Sequence, residues 1–275
     1  MLGEENAASC GAHLEEREMA VDVHALSGVD LPRLVVALKG SDSVELKATV
    51  PDDSVRSAVA ALGMDALDAQ LRQVFFFETA DLALQAAGVV VRARRVKGRG
   101  DDSVVKLRPV LPDDLPKELR LSPDFVVEVD AMRGGFVCSG SYKQRLAKPL
   151  VRPVTLGDVP IRKLFSKRQR AFFAEHAPTN IFLDDLLIMG PVFVLKLPFV
   201  AKEYSRKVVA EMWLYPDGTR LLELSTKCAP ANAFDVMAQM IAYLDQRGVT
   251  RDQDPQTKTK TALQYFATSL ADANR

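Results

Sequence analysis

The sequence predicts an α+β fold, in which a closed antiparallel β-barrel carries helices in its long connections and near its C-terminal end. Eight or nine strand-like runs follow one another along the chain, and several alternate apolar with polar residues. Most of these runs are linked as hairpins. No β-α-β crossover repeat is evident, which favours a closed barrel over a doubly wound sheet.

The strand predictions rest on β-branched and aromatic runs bounded by turn residues, and the clearest hairpin turns at Pro216-Asp217-Gly218. Helices are predicted after the capping residues of segment 51–54, from Asp158 to just before Pro178, and from Asn232 to about Gly248. The strands are predicted at 43–50, 73–78, 89–94, 104–108, 125–130, 180–189, 192–200, 206–215 and 219–227.

Composition indicates an ordinary globular protein. The 275 residues are 48% hydrophobic and 26% charged, which suffices for a sizeable core. Lys and Arg number 36, as do Asp and Glu, so the overall charge favours neither nucleic acid nor an anionic membrane. Cys10, Cys138 and Cys228 form no CxxC pair, which favours reduced thiols. No apolar run reaches the roughly 20 residues of a membrane span. We therefore expect a cytoplasmic protein without a membrane partner.

Positive charge is concentrated in one segment. Between Gly88 and Val110 the chain has seven basic residues and two acidic ones. Residues i and i+2 of a strand share a face, so Arg92 pairs with Arg94 and Lys106 with Arg108. A turn through residues 98–102 would join the two runs as a hairpin with four cations on one surface. One strand of this kind alone would be a solvated outer face, but the charges elsewhere in the chain indicate an anion-binding surface.

Other apolar strands also carry charged residues at alternate positions. Burying each charge alone would cost several kcal/mol, so these side chains must be paired, solvated or bound to a ligand. A hydrated, charged tunnel meets this requirement. Its cations suit a polyanion, and its carboxylates suit a bridging Mg²⁺ or Mn²⁺, because oxygen ligands without His or Cys favour these ions. The acidic members of the set are Glu45, Glu128, Asp130, Glu211 and Glu223.

These residues resemble the CYTH domain of the triphosphate tunnel metalloenzymes. Segment 43–47, Ser-Val-Glu-Leu-Lys, is similar to the ExExK strand that opens these proteins. Segment 76–84, Phe-Phe-Glu-Thr-Ala-Asp-Leu-Ala-Leu, resembles the family's Y-F-D-T-x-D-x-x-L stretch. The basic pairs and the acidic strand residues follow in the family's order. Lys258 and Lys260, after the last predicted helix, resemble the family's C-terminal lysine. The resemblance spans roughly residues 42 to 266.

The resemblance implies an eight-stranded antiparallel tunnel that binds triphosphate compounds with Mg²⁺ or Mn²⁺ and hydrolyses them. It implies catalytic roles for Lys47, Glu45 and Lys106, and a metal site at Glu45, Glu128, Asp130, Glu211 and Glu223. It implies that the phosphates are bound by Arg92, Arg94, Lys106, Arg108, Arg206, Lys207 and Lys260.

Two departures from the family pattern leave alternatives open. Ser43 and Ser225 stand where the motif has glutamates, and each exchange removes a charged oxygen ligand. The predicted function is metal-dependent hydrolysis of inorganic or organic triphosphate. The alternatives are a CYTH module that binds polyphosphate or nucleotide without turnover, and an adenylate cyclase of the class IV type.

Segment 162–170 is basic and contains Phe165, as nucleic-acid surfaces can. The competing interpretation, which we favour, is a surface helix with a solvated basic side and with Ile161, Leu164 and Phe165 buried. We therefore expect a triphosphate-bearing small molecule or polyphosphate as the partner and no nucleic acid.

The predicted organisation has an N-terminal leader at 1–40 that is poorly ordered or appended, a tunnel domain at 41–268 and a tail at 269–275. The role of the leader and the oligomeric state stay open, with a homodimer as one alternative.

Overall fold

Nine strands close into a barrel in the computed structural model of the chain, which describes residues 31–201 and 203–273. Around the barrel the order is β1-β5-β6-β4-β3-β2-β7-β8-β9, and β9 pairs back onto β1. The strands are β1 (Ser43–Val50), β2 (Gln70–Glu78), β3 (Val89–Val96), β4 (Gly100–Leu107), β5 (Phe125–Met132), β6 (Gly135–Arg145), β7 (Leu187–Val200), β8 (Lys207–Leu214) and β9 (Arg220–Cys228).

Helices occupy the connections and the C-terminal end. The α-helices are α1 (Leu31–Gly40), α2 (Val55–Ala61), α3 (Ala83–Ala86), α4 (Lys117–Arg120), α5 (Val151–Thr155), α6 (Lys167–His176), α7 (Ala233–Gln246) and α8 (Lys258–Ala273). Short 3-10 helices lie at Asp52–Ser54, Ala66–Asp68, Pro112–Asp114, Ile161–Leu164, Leu183–Asp185 and Pro230–Asn232. In the described part of the chain, no helix is long and apolar enough to cross a bilayer.

The main apolar core lies outside the barrel wall, between the strands and the helices that cover them. In β1, Val44 and Leu46 are buried in this core, whereas Glu45 and Lys47 between them line the central cavity. The same core includes Leu34 of α1 and Phe172 of α6. Because side chains alternate along a strand, an apolar outer face directs the charged residues inwards. The barrel therefore has a hydrophobic exterior under its helices and a polar interior.

A second apolar cluster closes one end of the interior. Phe76 of β2 and Trp213 of β8 lie on the inward-facing positions of their strands, and their rings are 6.5 Å apart. Ala262 and Leu263 of α8 are buried against this cluster. Helix α8 thus covers the barrel at this end and brings its first residue, Lys258, into the charged cavity.

The barrel predicted from the sequence is confirmed in outline, with two corrections: it has nine strands rather than eight, and it is mixed rather than purely antiparallel. Strands β1 and β5 run parallel, with Ser43 opposite Glu128. A single connection that contains a 3-10 helix and α4 leads from β4 to β5 and brings β5 beside β1. The other neighbouring strands are antiparallel.

Two strand assignments also differ from the sequence prediction. Strand β6 was not predicted, because its glycines and inward-facing serines give it little apolar alternation. Gly140 is required there, since a Cβ would lie 2.6 Å from the Phe125 ring. The strand predicted at 180–189 is a turn and a 3-10 helix up to residue 185, and β7 begins at Leu187. Strand β7 then continues past Gly190, opposite a register shift between Val74 and Phe76.

The basic segment 162–170 lies on the outer layer. Ile161, Leu164 and Phe165 are buried, and Arg162 and Lys163 are exposed, as the surface-helix interpretation predicts. Ser166 caps α6 and forms a reciprocal capping box with Gln169.

Of the predicted leader, residues 1–30 lie outside the described residues, and α1 occupies the remainder. Leu34, Ala37 and Leu38 of α1 are buried against the barrel. At the other end, α8 extends through most of the predicted tail, and residues 274–275 lie outside the described part. The domain boundaries stay predictions.

Candidate functional site

The candidate site is the central cavity of the barrel, which we call the lumen. Its volume is about 580 Å³, within the usual size range of small-molecule sites. Among the described residues, twelve basic and six acidic side chains line it, a surplus of six positive charges in a protein whose formal net charge is zero. The fold therefore gathers in one enclosed space the cations that the sequence distributes over separate strands.

The β3-β4 hairpin and the residue that follows it supply two lumen cations, Arg92 and Arg108, that form no ion pair among the described residues. Arg92, Arg94, Lys106 and Arg108 all line the lumen. Arg94 Nε donates to Asp102 Oδ1 at 2.8 Å. By contrast, Arg92 Nε is buried and has no hydrogen-bond partner among the described residues. Within the same part of the chain, Arg108 forms no ion pair. A buried guanidinium N–H without an acceptor is costly, and an anionic ligand is the group that would satisfy it.

Burial also changes the protonation of this side of the lumen. It lowers the pKa of Arg92 to about 10, and the neighbouring Arg94 acts in the same direction. It lowers the pKa of Lys106 to about 8, a shift that Asp130 opposes and Lys47 reinforces. Arg92 thus stays charged at neutral pH, whereas Lys106 loses its proton near pH 8, just above neutrality.

Strand β1 positions two of the predicted catalytic residues, Glu45 and Lys47. Lys47 Nζ lies 3.0 Å from Asp130 Oδ1 and 3.5 Å from Glu45 Oε2. Burial opposes the charge on Lys47, but the attraction of Glu223, Asp130 and Glu45 raises its pKa above the ordinary lysine value. Glu45 also accepts a 3.1 Å hydrogen bond from Ser225 Oγ. Glu45 is the most accessible of the five predicted metal ligands, with 23% of its side chain exposed.

On strand β5, Glu128 and Asp130 each contact two ammonium groups. Glu128 accepts from Lys143 Nζ and from Lys227 Nζ. Burial works against its ionisation, but these two lysines lower the pKa of Glu128 to about 2. Asp130 lies 3.0 Å from Lys47 Nζ and 3.9 Å from Lys106 Nζ. Burial likewise opposes its charge, and Lys47 and Lys106 hold the pKa of Asp130 well below its usual range.

The acidic residues of β8 and β9 share one lysine. Glu211 and Glu223 are opposite each other in the strand pair. Lys258 Nζ of α8 donates to Glu211 Oε2 at 2.5 Å and to Glu223 Oε1 at 2.7 Å. Glu211 also accepts from Lys196 Nζ at 2.8 Å. Burial opposes the charge on Lys258, but Glu223 and Glu211 raise its pKa.

These contacts decide whether the arrangement fits a divalent cation. The five predicted ligands all line the lumen, yet among residues 31–201 and 203–273 no three His, Cys, Asp or Glu side chains converge to hold a metal ion. Each carboxylate instead contacts at least one lysine ammonium. Mg²⁺ commonly binds through one or two carboxylates, but here an ion would have to displace an ammonium from each candidate carboxylate, so the arrangement does not fit a resident divalent ion.

Three predicted phosphate ligands lie outside the lumen. Arg206 Nε donates to Gln239 Oε1 of α7 at 3.1 Å, and the side chain of Lys207 is exposed at the start of β8. Lys260 is exposed on α8, whereas Lys258, two residues earlier, points into the lumen. The sequence alone could not separate the two lysines, because α8 was not predicted.

Some lumen residues were missing from the predicted site. Arg72, Lys143 and Lys196 line the cavity. Each lies on the inward-facing side of its strand, as Lys196 does two residues after Val194 and four after Val192. This alternation of inward- and outward-facing residues is the sequence signal that identifies them as lumen residues. It was overlooked for Lys143 because β6 was not predicted, and for Arg72 because β2 begins earlier than predicted.

No family model matches the sequence, and no curated protein matches it. Solved structures do match. One is a Hippeastrum protein proposed to be an adenylyl cyclase, in which a dominant triphosphatase activity is reported; it is 15% identical, with 78% of this chain and 92% of that chain covered and a TM-score of 0.58. Another is a Bacillus halodurans protein proposed to be an adenylate cyclase, 14% identical over 79% of this chain and 95% of that chain, with a TM-score of 0.54.

The barrel of this chain thus shares its fold with these two structures, as the sequence resemblance predicts. At these identities the likeness concerns the fold alone, because one fold supports many activities.

Proposed function

We propose that this protein binds a compound with a triphosphate chain in the lumen. The observation that carries the proposal is the surplus of six positive charges in an enclosed cavity, together with the unpartnered, buried Nε of Arg92. A triphosphate supplies several negative charges and many acceptor oxygens in a narrow, flexible chain. These properties match arginine N–H groups and lysine ammonium groups that line a lumen.

The phosphate chain is proposed to lie along the β3-β4 side. Arg92 and Arg108 have no carboxylate partner among the described residues, so each would gain a charge-assisted hydrogen bond from a phosphate oxygen. The opposite side, formed by β8 and β9, has its carboxylates already paired with Lys196 and Lys258. An anion is repelled least where the cations are uncompensated.

We further propose that the terminal phosphate is hydrolysed, as the triphosphatase activity of the Hippeastrum protein suggests. Water would attack the terminal phosphorus, the bond to the bridging oxygen would break, and Glu45 would accept the proton of the water. Glu45 suits this role because it is accessible and its nearest ammonium is 3.5 Å away. Lys106, with a pKa of about 8, would neutralise or protonate the departing oxygen. Lys47 would hold Glu45 and Asp130 in place.

A binding module without turnover is the second candidate. Ser225 lies where the family motif has a carboxylate and donates its hydroxyl to Glu45. In addition, each of the five acidic residues of the predicted metal site contacts a lysine. Both features favour tight binding of an anion over activation of a metal-bound water.

A substrate panel tests the proposal. Purified protein is incubated with tripolyphosphate, thiamine triphosphate or ATP, each with Mg²⁺, Mn²⁺ or EDTA. Free phosphate and cyclic AMP are measured, and the binding of each compound is measured by calorimetry. Phosphate release that Glu45→Gln abolishes supports hydrolysis. Tight binding without release supports the binding module, and cyclic AMP from ATP supports a cyclase. Absence of both binding and turnover with all three compounds refutes the proposed function.

A further inference from the structure

Two like charges face each other in the wall of the lumen. Glu211 and Glu223 occupy opposite positions of the β8-β9 pair, and both side chains are largely shielded from solvent. Carboxylates that are directly opposite destabilise a strand pair unless a cation lies between them. In metalloenzymes a divalent ion commonly fills such a position.

In this protein the cation between the two carboxylates is a lysine side chain of the protein itself. Lys258 Nζ lies 2.5 Å from Glu211 and 2.7 Å from Glu223, which is direct hydrogen-bond distance to both carboxylates. Its ammonium also lies 5.3 Å from the centre of the Trp213 ring, and the Lys258 carbonyl accepts a hydrogen bond from Tyr215 Oη. These contacts fix the lysine at the start of α8, and its side chain is 16% exposed.

The rest of the lumen follows the same pattern. Glu128 contacts Lys143 and Lys227, and Asp130 contacts Lys47. An incoming metal ion would have to displace an ammonium from each carboxylate that it binds. An incoming polyanion meets no such competition, because the cationic surplus lies on the β3-β4 side.

We propose that Lys258 takes the place of a divalent cation between Glu211 and Glu223, so that the lumen binds a triphosphate without metal. The inference rests on the proposed function for the identity of the anion. It differs from the metal dependence that the sequence resemblance implies, and the two lead to opposite results when metal is withdrawn.

Direct titration with Mn²⁺, followed by electron paramagnetic resonance, tests the role of Lys258 without any triphosphate. We expect no stoichiometric Mn²⁺ binding to the wild-type protein. Lys258→Met leaves two opposed carboxylates without their shared cation, and we expect it to bind Mn²⁺ at least about tenfold more tightly than wild type. Lys258→Arg keeps a positive charge and is expected to behave like wild type.

Lys167→Met is the matched control, because Lys167 is likewise the first residue of a helix but is exposed outside the lumen. Circular dichroism confirms that each variant is folded. Stoichiometric Mn²⁺ binding to the wild-type protein overturns the inference. It is also overturned if folded Lys258→Met binds no more Mn²⁺ than Lys167→Met.

Calorimetry with tripolyphosphate completes the test. The wild-type protein is titrated in EDTA and in Mg²⁺, and we expect the affinity in EDTA to be at least as high as in Mg²⁺. An affinity about tenfold or more weaker in EDTA overturns the inference. If tripolyphosphate binds in neither buffer, the proposed function fails, and the Mn²⁺ titration still decides whether Lys258 occupies a metal position.

Discussion

Among single residues, Arg92 is the one whose position in the fold most directly indicates anion binding. Its strand neighbours Val91 and Ala93 are buried in the outer core, so the pleat directs the guanidinium into the lumen. There its Nε has no acceptor among the described residues, although arginine N–H groups are normally satisfied when buried. The arrangement is destabilising for the protein alone and favourable for a bound anion.

Replacement of this residue should therefore affect binding more than folding. We expect Arg92→Gln to weaken tripolyphosphate binding by about 10- to 100-fold, the usual range for hydrogen bonds to a charged group. Isothermal calorimetry measures the change. Arg95→Gln is the control, because Arg95 lies on the opposite face of β3 and donates to Gln73. Equal affinities for the two variants would contradict the assigned role of Arg92.

Lys106 predicts a pH dependence of binding. Its pKa in the free protein is lowered to about 8, and a bound anion favours the protonated form. The affinity contribution of Lys106 is thus complete below pH 8 and decreases as the pH rises above it. Relative to Lys106→Arg, which stays charged, we expect wild-type affinity for tripolyphosphate to decrease by about tenfold between pH 7 and pH 9. A constant ratio over this range would show that Lys106 does not contact the ligand.

Single residues also show the limits of sequence reasoning. Arg92, Arg94, Lys106 and Arg108 were recognised, because the two-residue period is strong in β3 and β4. The pairing of Glu128 with Lys227 could not be predicted in this way. The two residues are 99 positions apart, and they meet only because β1 lies between their strands in the closed barrel.

At the level of elements, Glu78 joins strand β2 to helix α3. This buried carboxylate accepts hydrogen bonds from the backbone N–H groups of Thr79, Leu84 and Gln85, each at 2.9 Å. Helix α3 has only four residues and begins after Leu82, which has a positive φ of 59°. A helix this short is not stable alone, so Glu78 supplies the contacts that hold it.

We expect Glu78→Gln to reduce the free energy of unfolding by about 1–3 kcal/mol, because the amide NH₂ would face a backbone donor and leave it unsatisfied. Urea denaturation followed by circular dichroism measures the loss. Glu118→Gln is the control, because it removes the same negative charge at an exposed position. If both variants unfold at the same urea concentration, the capping role is wrong.

Elements with a strong pattern were predictable, and elements without one were not. Strand β1 was predicted with its observed bounds, because apolar and charged residues alternate in it. Strand β6 was missed, since Ser139 and Ser141 interrupt its inner face and Gly140, which packs under Phe125, lies on its outer face. Helix α8 was missed because only a few large apolar residues, Leu263, Phe266 and Leu270, mark the side that packs against the end of the barrel.

For the whole molecule, the decisive property is a barrel with a charged interior in a protein that has equal numbers of basic and acidic residues. The covering helices bury the outer face of strands such as β1, β3 and β5, whereas outward-facing Phe193 of β7 is exposed, and the lumen carries a surplus of positive charge. The overall balance of 36 basic and 36 acidic residues conceals this separation. Only closure of the sheet brings the alternating positions of distant strands to one cavity.

Closure of the barrel also links its stability to pH. Glu128 on β5 joins β6 through Lys143 and β9 through Lys227, and its pKa is lowered to about 2. A lowered carboxyl pKa stabilises the fold above the unfolded value of about 4.5, and this stabilisation disappears as the pH falls towards 2. Because the two lysines are 40% and 52% exposed, solvent screening limits the effect to about 1–2 kcal/mol.

We therefore expect Glu128→Gln to be less stable than wild type at pH 7 and to lose less stability between pH 5 and pH 2. Thermal denaturation over this range provides the measurement. The exposed Glu175→Gln serves as control. Parallel stability curves for wild type and Glu128→Gln would contradict the proposed linkage.

The most direct test of a polyanion site in the lumen is a crystal structure of the protein with tripolyphosphate. We expect one phosphate chain inside the barrel, with oxygens within hydrogen-bond distance of Arg92, Lys106 and Arg108. A chain bound only on the outer surface, or an empty lumen at a saturating concentration of tripolyphosphate, would contradict the account.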